Sequence, residues 1–308
     1  MEFEQLRNFL QITQYDTITK AARSLGMTQP ALSKSLSALE AELGVKLFYR
    51  ESNRLLLNQY GQIVRQHSQR IFDSMTDAEI RLKDCRGEIK PEICMASSVS
   101  PADPNWILQT VGAYLREKPM TKLTHSILSI PEIQDKLLRR ELDLAITTPE
   151  IQDSRIIWTP LYWEASVVVM SRRNPLATKE HLRLSDLEDS IIYCVNADSN
   201  EQSSIETLCR RAGFEPKIQF AADFPLYIAK CVSQNKCVAF VAGGNMLTSW
   251  HESEHYPWEE ELVYRSLSDG SLYRRCGYAV LRNRYHTDSV RDFIAYMQQA
   301  EKPRCVPI

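Results

Sequence analysis

The sequence predicts an α/β protein with a small helical head that ends in a two-stranded wing, then one long helix, then a larger two-lobed domain. Three observations predict this order. Apolar residues recur at helical spacing from Leu6 onwards, an amphipathic stretch without proline runs from Gln59 to Gly87, and short apolar strands alternate with helices beyond Pro91. A chain of 308 residues is also too long for one ordinary hydrophobic core.

The overall composition excludes several classes of protein. Apolar residues make up 44% of the chain and charged residues 25%, which is typical of soluble globular proteins. No apolar run reaches the length of a membrane span, and the first residues lack the basic and apolar segments of a signal peptide. We therefore expect a cytoplasmic protein without membrane contact.

The eight cysteines are scattered, with no Cys-x-x-Cys pair and no histidine cluster beside them. This spacing gives no support for a zinc site or a dithiol redox motif, so we expect neither a metal nor a cofactor. Buried free thiols are the simplest interpretation, and they suit a reducing cytosol.

The head, residues 1–58, contains three predicted helices with apolar residues on one face of each. These residues are Leu6, Phe9, Leu10 and Thr13 in the first helix, Ala21, Ala22 and Leu25 in the second, and Leu32, Leu36, Leu39 and Leu43 in the third. Gly26 ends the second helix, Thr28 is a plausible N-cap for the third, and Pro30 lies in its first turn. This order indicates a helix-turn-helix.

The third helix presents short polar side chains on the face opposite its apolar stripe, with no carboxylate before Glu40. They are Gln29, Pro30, Ser33, Lys34 and Ser37. Glutamine can bind adenine through two hydrogen bonds, and serine can reach bases or phosphates, so the face suits the major groove of double-stranded DNA. A merely solvated helix face is the alternative, and periodicity alone does not decide between them.

A wing is predicted after the third helix. Val45–Arg50 and Asn53–Leu57 form two short strands around a turn, which places Arg50 and Arg54 near phosphates. Residues 1–60 hold seven Lys/Arg against six Asp/Glu, so local charge does not by itself indicate DNA binding.

The head resembles the signature of the LysR-type transcriptional regulators. The residues that carry the resemblance are Ala21–Leu25, Thr28–Ser33, Leu39–Glu40 and Leu43–Arg50. It implies that Thr28, Gln29, Pro30 and Ser33 lie at the groove and that Arg50 and Arg54 hold the DNA backbone. One departure is Asn58–Gly61, where the family usually has threonine first. Asparagine caps a helix equally well.

The segment 59–90 predicts a long linker helix. Its apolar positions alternate steps of three and four residues, with one gap at His67 or Ser68; they are Val64, Ile71, Met75, Ala78, Leu82 and Cys85. This pattern predicts a two-stranded coiled-coil seam and therefore a homodimer. A helix packed on its own domain is the alternative. The family resemblance extends the assembly to a homotetramer, built as a dimer of dimers.

Residues 91–308 predict an open, largely parallel sheet. The candidate strands are Glu92–Ala96, Lys122–Leu128, Leu142–Thr147, Ala165–Met170, Ser190–Val195, Lys217–Ala221, Val238–Val241 and Cys276–Leu281. Ligands of such sheets bind beyond the carboxyl ends of the strands. Small polar residues follow four of these strands: Ser97, Ser98 and Ser100, then Ser129, then Thr147 and Thr148, and finally Asn196. They suit a small polar or anionic effector, although each could be an ordinary helix cap.

The larger domain also resembles the same family, at Arg140–Ile146 and Val167–Leu176. The resemblance implies two Rossmann-like lobes arranged as in periplasmic binding proteins, residues 91–161 with 269–308 and residues 162–268, and an effector in the cleft. The chain would cross between the lobes near Pro160–Tyr162 and return near Ser266–Ser271. A departure lies at Asn235 and Cys237, where the family usually has Gly-x-Gly. Asparagine tolerates the left-handed conformation, but cysteine adopts it only at a cost.

These features together indicate a DNA-binding transcriptional regulator that a small molecule controls. An enzyme would need a nucleophile with a base or a phosphate loop, and no such motif is present. A solute-binding protein would leave the head unexplained, and an architectural DNA-binding protein would leave the cleft unexplained. RNA polymerase would be a further partner if the regulator activates transcription. Peroxide-sensing members of the family carry two cysteines a short, fixed distance apart in the second lobe. Cys209 falls near the later one, but Asn200 occupies the earlier place, so we expect no peroxide switch.

Overall fold

The computed structural model describes residues 1–51, 54–98, 104–148, 150–195, 199–222, 225–242, 259–269 and 273–302. The chain divides into two compact units, Met1–Ile89 and Lys90–Ile308. Among the residues described, no helix combines the length and the apolar character needed to cross a membrane.

The smaller unit consists of three short helices, a hairpin and one long helix. These elements are α1 (Phe3–Ile12), α2 (Ile18–Ser24), α3 (Gln29–Leu43), β1 (Phe48–Glu51), β2 (Arg54–Leu57) and α4 (Gln59–Cys85). The strands β1 and β2 pair antiparallel. The predicted helix-turn-helix with its wing is therefore confirmed.

The core of the smaller unit is formed mainly by the apolar faces that the periodicity predicts. Its buried residues are Leu6, Phe9, Ile12, Ala21, Ala22, Leu32, Leu36, Leu39, Leu47 and Phe48. Gly26 and Gly44 follow α2 and α3 with φ of +64° and +70°. Glycine adopts this left-handed conformation without strain, so the two residues end their helices as the sequence predicts.

The start of α4 is fixed to the wing by two residues. The Asn58 side chain accepts a hydrogen bond from the Gly61 amide at 2.8 Å and donates one to the Lys46 carbonyl at 2.6 Å. Gly61 is buried so tightly that a β-carbon there would collide with the Leu47 carbonyl oxygen. Asparagine thus caps α4 as expected, and glycine is required for the close approach.

The larger unit alternates strands and helices. Its elements are β3 (Glu92–Ser98), α5 (Pro104–Glu117), β4 (Lys122–Leu128), α6 (Ile130–Leu138), β5 (Leu144–Thr147), β6 (Ile156–Ser171), β7 (His181–Leu182), β8 (Ile191–Val195), α7 (Ser199–Arg211), β9 (Lys217–Ala222), α8 (Pro225–Ser233), β10 (Val238–Ala242), β11 (Leu262–Leu267), β12 (Tyr273–Leu281) and α9 (Asp288–Gln299). The strand order is β4-β3-β5-β12-β6-β10-β8-β9, with β11 beside β6 and β7 beside β11.

The two lobes share the long strand β6. Its first part pairs with β12 as far as Ala165, and from Ser166 it pairs with β10. The strand β6 therefore changes its pairing partner a few residues beyond Pro160–Tyr162, where the sequence predicts that the chain crosses between the lobes. Pro160 pairs with Gly277 beside a shift in register, which is where a strand tolerates a residue without an N–H.

Several strands differ from the sequence prediction. The first part of β6 is absent from it, as are β7 and β11, while β5 begins at Leu144 rather than Leu142. Pro160 and Glu164 interrupt the apolar alternation of β6, so periodicity alone identifies only its second part.

The turn after α8 contains Asn235 and Cys237, which stand where the family usually has Gly-x-Gly. Asn235 has φ of +59°, and its amide donates to the Val232 carbonyl at 2.8 Å. Cys237 is not among the described residues with positive φ. The turn therefore needs only one left-handed residue, which asparagine supplies.

Candidate functional site

The polar face of α3 is open to solvent. Thr28, Gln29, Pro30, Lys34 and Ser37 are exposed, and Ser33 is half-buried. Thr28 occupies the N-cap position, but its side chain makes no capping hydrogen bond. The six predicted groove residues are thus accessible along one helix, which is what a DNA-reading face requires.

Glu40 does not lie on this polar face, contrary to the sequence prediction. Its side chain is 8% exposed, accepts a hydrogen bond from the Leu47 amide at 2.9 Å and pairs with the Lys46 ammonium at 2.7 Å. A buried carboxylate is stable only with such partners. Glu40 therefore fixes the entry to the wing and leaves the polar face without its negative charge.

Of the two wing arginines predicted to contact phosphates, only Arg54 has a described side chain. Arg54 is exposed in β2, and the backbone of Arg50 pairs with Leu55 in β1. The Leu55 amide also donates to the Asp16 carbonyl at 2.8 Å, which ties the wing to the loop between α1 and α2. The Arg50 side chain and residues Ser52 and Asn53 of the wing lie outside the described part.

The helix α4 has two different apolar faces. Towards its own head it buries Ser68 and packs Val64 and Phe72 against the core. Val64 therefore contributes to the head, contrary to its prediction as a seam residue. Ile71, Met75 and Leu82 remain exposed, at 36%, 43% and 59%. The predicted seam begins only where α4 leaves the head.

The serines at the end of β3 point to opposite sides of the sheet, because neighbouring side chains of a strand alternate. The Ser97 hydroxyl is hydrogen-bonded to His125 Nε2 at 2.9 Å, and desolvation lowers the pKa of that imidazole. The Ser98 hydroxyl accepts a hydrogen bond from the Thr148 amide at 3.4 Å. Only Ser98 is therefore brought together with Thr148.

Two other predicted ligand residues already have partners. Ser129 caps α6 and donates from its hydroxyl to Glu132 at 2.7 Å, and these hydrogen bonds lower the pKa of Glu132. Thr147 accepts a hydrogen bond from the Trp158 indole at 2.9 Å. The hydroxyls of Ser129 and Thr147 are therefore engaged within the protein. Ser100 and Asn196 lie outside the described residues.

Thr148 differs from these residues. Its side chain is 5% exposed, and its hydroxyl has no hydrogen-bond partner among the described residues. A buried hydroxyl without a partner is unfavourable, which distinguishes Thr148 from the other predicted ligand residues.

Sequence reasoning missed a cluster of aromatic and charged residues on the strands that join the lobes. Arg275 lies 5.4 Å from the ring centroid of Trp158 and 5.6 Å from that of Trp163, and its guanidinium pairs with Glu150 at 2.9 Å. The Trp158 ring lies against Gly277, where a β-carbon would collide with it. Solvent-exposed ion pairs of this kind contribute at most about 1 kcal/mol, so the pairing with Glu150 is readily exchanged.

Most of the described cysteines of the larger unit are buried. The buried ones are Cys194, Cys209, Cys237 and Cys276, whereas Cys94 and Cys231 are half-buried. Burial raises the pKa of Cys209 to about 11 and that of Cys237 to about 12. At neutral pH both are therefore thiols rather than nucleophilic thiolates. The described residues also hold no cluster of three or more potential metal ligands.

These features define the class of the molecule. A helix-turn-helix with an open polar face is joined, in one chain, to a two-lobed sheet domain with buried polar groups at its strand ends. This combination is that of a DNA-binding protein with a ligand domain.

Comparison with known families identifies both units. Residues 3–62 match the bacterial regulatory helix-turn-helix proteins of the lysR family, and residues 86–302 match the LysR substrate binding domain. The chain belongs to the LysR family of DNA-binding transcriptional regulators, and its larger unit contains the effector-binding domain of that family.

Individual relatives agree with this assignment. The chain is 27% identical to the uncharacterised HTH-type transcriptional regulator YybE of Bacillus subtilis over 229 residues, 72% of this chain and 76% of the relative. HinK, a LysR family regulator of Pseudomonas aeruginosa, has 18% identity and a TM-score of 0.61, with 97% of each chain covered. CbnR in complex with its target DNA has 16% identity and a TM-score of 0.58, covering 97% of this chain and 99% of CbnR. The two structures show the same fold.

Proposed function

We propose that this regulator reads DNA with the polar face of α3 and is controlled by a small polar or anionic effector bound where β3 and β5 end. The proposed effector site rests on Thr148. Its buried hydroxyl has no partner among the described residues, and its backbone amide donates to the Ser98 hydroxyl. A ligand with a hydrogen-bonding group completes this arrangement.

The two lobes give such a ligand a means of control. Thr147 pairs with Gly277 on β12, and β12 pairs with the strand β6 that continues into the other lobe. A ligand at the end of β5 therefore lies beside β12, the strand that pairs with β6, and β6 belongs to both lobes. If the ligand binds one arrangement of the lobes more tightly, it shifts their populations and changes DNA binding.

The exposed stripe of α4 supports assembly as a dimer. Ile71, Met75 and Leu82 are apolar, exposed and spaced as in a coiled-coil seam. Two heads held by this seam match a DNA site with two-fold symmetry. The family resemblance extends the assembly to a dimer of such dimers.

The effector site is tested on the full-length protein in two steps. A thermal-shift screen against a metabolite library first identifies a stabilising compound. Thr148→Val, which replaces the hydroxyl by a methyl group of similar size, is then expected to weaken binding of that compound about fivefold or more while leaving DNA affinity unchanged. The matched control is Thr110→Val, since Thr110 is equally buried, at 6% exposure, within α5. Equal affinity of the compound for both variants and wild type places the effector elsewhere.

A further inference from the structure

The chain enters the wing through one peptide group that two helices hold. The N–H of this group, on Leu47, donates to the carboxylate of Glu40 in α3 at 2.9 Å. Its C=O, on Lys46, accepts a hydrogen bond at 2.6 Å from the side-chain amide of Asn58, the N-cap residue of α4. Because the N–H and C=O of a planar trans peptide point in opposite directions, the group is held from both sides.

These hydrogen bonds lie in the interior of the smaller unit. The side chains of Glu40 and Asn58 are buried, and Leu47 is fully buried. A buried polar group that loses its partner costs about 1 to 3 kcal/mol, so the two hydrogen bonds fix the position of the peptide. The Lys46 ammonium also pairs with Glu40, but its side chain is 75% exposed and is free to turn into solvent. The contact with the Leu47 amide is therefore the one that depends on Glu40.

Asn58 joins the wing to α4 through two different atoms of its side chain. Its Oδ1 accepts from the Gly61 amide at 2.8 Å and caps the helix, while its Nδ2 donates to the Lys46 carbonyl. The backbone amide of Asn58 adds a hydrogen bond to the Leu47 carbonyl at 3.1 Å. The asparagine that stands in place of the usual threonine of the family thus supplies a separate donor for the wing as well as a cap.

The position of this peptide bears on the whole hairpin. The strand β1 begins directly after it, at Phe48, and pairs with β2, which carries Arg54. The hairpin has a second attachment, from the Leu55 amide to the Asp16 carbonyl, which uses backbone atoms alone. Loss of the attachment at the entry leaves this second one as a pivot, so the hairpin can turn and displace Arg54 relative to α3.

We propose that Glu40 and Asn58 are positioning residues for DNA binding, which hold the Lys46–Leu47 peptide between α3 and α4 so that Arg54 reaches a phosphate while α3 lies in the groove. This inference rests on the proposed function, because it requires that the head bind DNA through α3 and the wing. It adds two buried residues that touch no DNA themselves.

The test measures binding of the full-length protein to the DNA upstream of its own coding sequence and to a scrambled duplex, over a range of salt concentrations. Glu40→Ala and Asn58→Ser, which keeps a capping oxygen but lacks the amide donor, should each weaken binding to both duplexes at least about fivefold. The slope of log binding constant against log salt concentration should become less steep by about one per head, because one phosphate contact is lost.

Two further variants separate position from charge. Removal of a carboxylate near DNA by charge alone strengthens binding, so weaker binding by Glu40→Ala indicates a displaced wing. Glu42→Ala is the matched control, since Glu42 is an exposed carboxylate on the same helix, and it should not weaken binding. Glu40→Gln keeps an oxygen that accepts from the Leu47 amide and should retain the wild-type slope. The active fraction of each variant, measured by stoichiometric titration with DNA, accounts for any loss of folded protein.

Arg54→Ala should show the same loss of slope, and combining it with Glu40→Ala or Asn58→Ser should add little, since all three remove one contact. Wild-type slopes in Glu40→Ala and Asn58→Ser, losses that add fully to that of Arg54→Ala, or a Glu40→Gln variant as weak as Glu40→Ala overturn the inference. An unchanged slope in Arg54→Ala overturns it together with the wing contact. The reading of bases by α3 fails separately, if Gln29→Ala leaves the discrimination between the two duplexes unchanged.

Discussion

At the scale of single residues, the amide side chain of Gln29 is the best candidate for reading a base. It is exposed in the first turn of α3, and a glutamine can form two hydrogen bonds with adenine in the major groove. Gln29→Ala is expected to lower the discrimination between specific and scrambled duplexes by about 1 to 3 kcal/mol. Arg54→Ala should instead weaken binding to both duplexes alike, since a phosphate contact carries no sequence information.

Binding isotherms at one fixed salt concentration measure both effects. Gln14→Ala is the control, because Gln14 is an exposed glutamine that follows α1. Unchanged discrimination in Gln29→Ala excludes this residue from base reading.

Sequence patterns group the residues of the α3 face better than those at the strand ends of the larger unit. The polar residues of α3 are neighbours on one helix, so spacing along the chain was enough to group them. Ser97 and Ser98 were grouped by sequence, but the alternation of a strand separates them, and only Ser98 meets Thr148. Arg275 and Trp163 meet through cross-strand pairing between distant segments, which no local pattern shows.

At the scale of elements, α4 makes the clearest prediction. Met75→Glu places a charge in the exposed apolar stripe and is expected to raise the dimer dissociation constant at least about tenfold, because a buried carboxylate without a partner is unfavourable. Thr76→Glu, at the next exposed position of the same helix, should leave assembly unchanged. Light scattering over a micromolar concentration series decides the matter, and a monomeric wild type contradicts the seam.

Helices were predicted more completely than strands, for a physical reason. A helix on the surface of a core shows its apolar stripe directly in the sequence, and α1, α2 and α3 all do so. The strand β6 changes its surroundings along its length, from one lobe to the other, so it has no single alternating pattern. Ser68 and Phe72 of α4 pack on the head, and this second contact obscured where the free stripe begins.

At the scale of the whole molecule, the two units divide recognition and control. The head holds the polar face of α3, while the larger unit holds the strand ends and the joining strands β6 and β12. Control requires that a ligand distinguish two arrangements of the protein, because a ligand that binds both equally shifts neither. The proposed function therefore depends on the coupling between ligand binding and DNA binding.

That coupling is measured most directly by DNA-binding isotherms of the full-length protein, with and without the compound from the thermal-shift screen. The duplexes are the DNA upstream of its own coding sequence and a scrambled control of equal length, at one salt concentration. The account predicts binding to the upstream DNA at least about a thousandfold tighter than to the control, and a change of about fivefold or more in that affinity when the compound is present. Equal affinity for the two duplexes, or an affinity that the bound compound leaves unchanged, would contradict it.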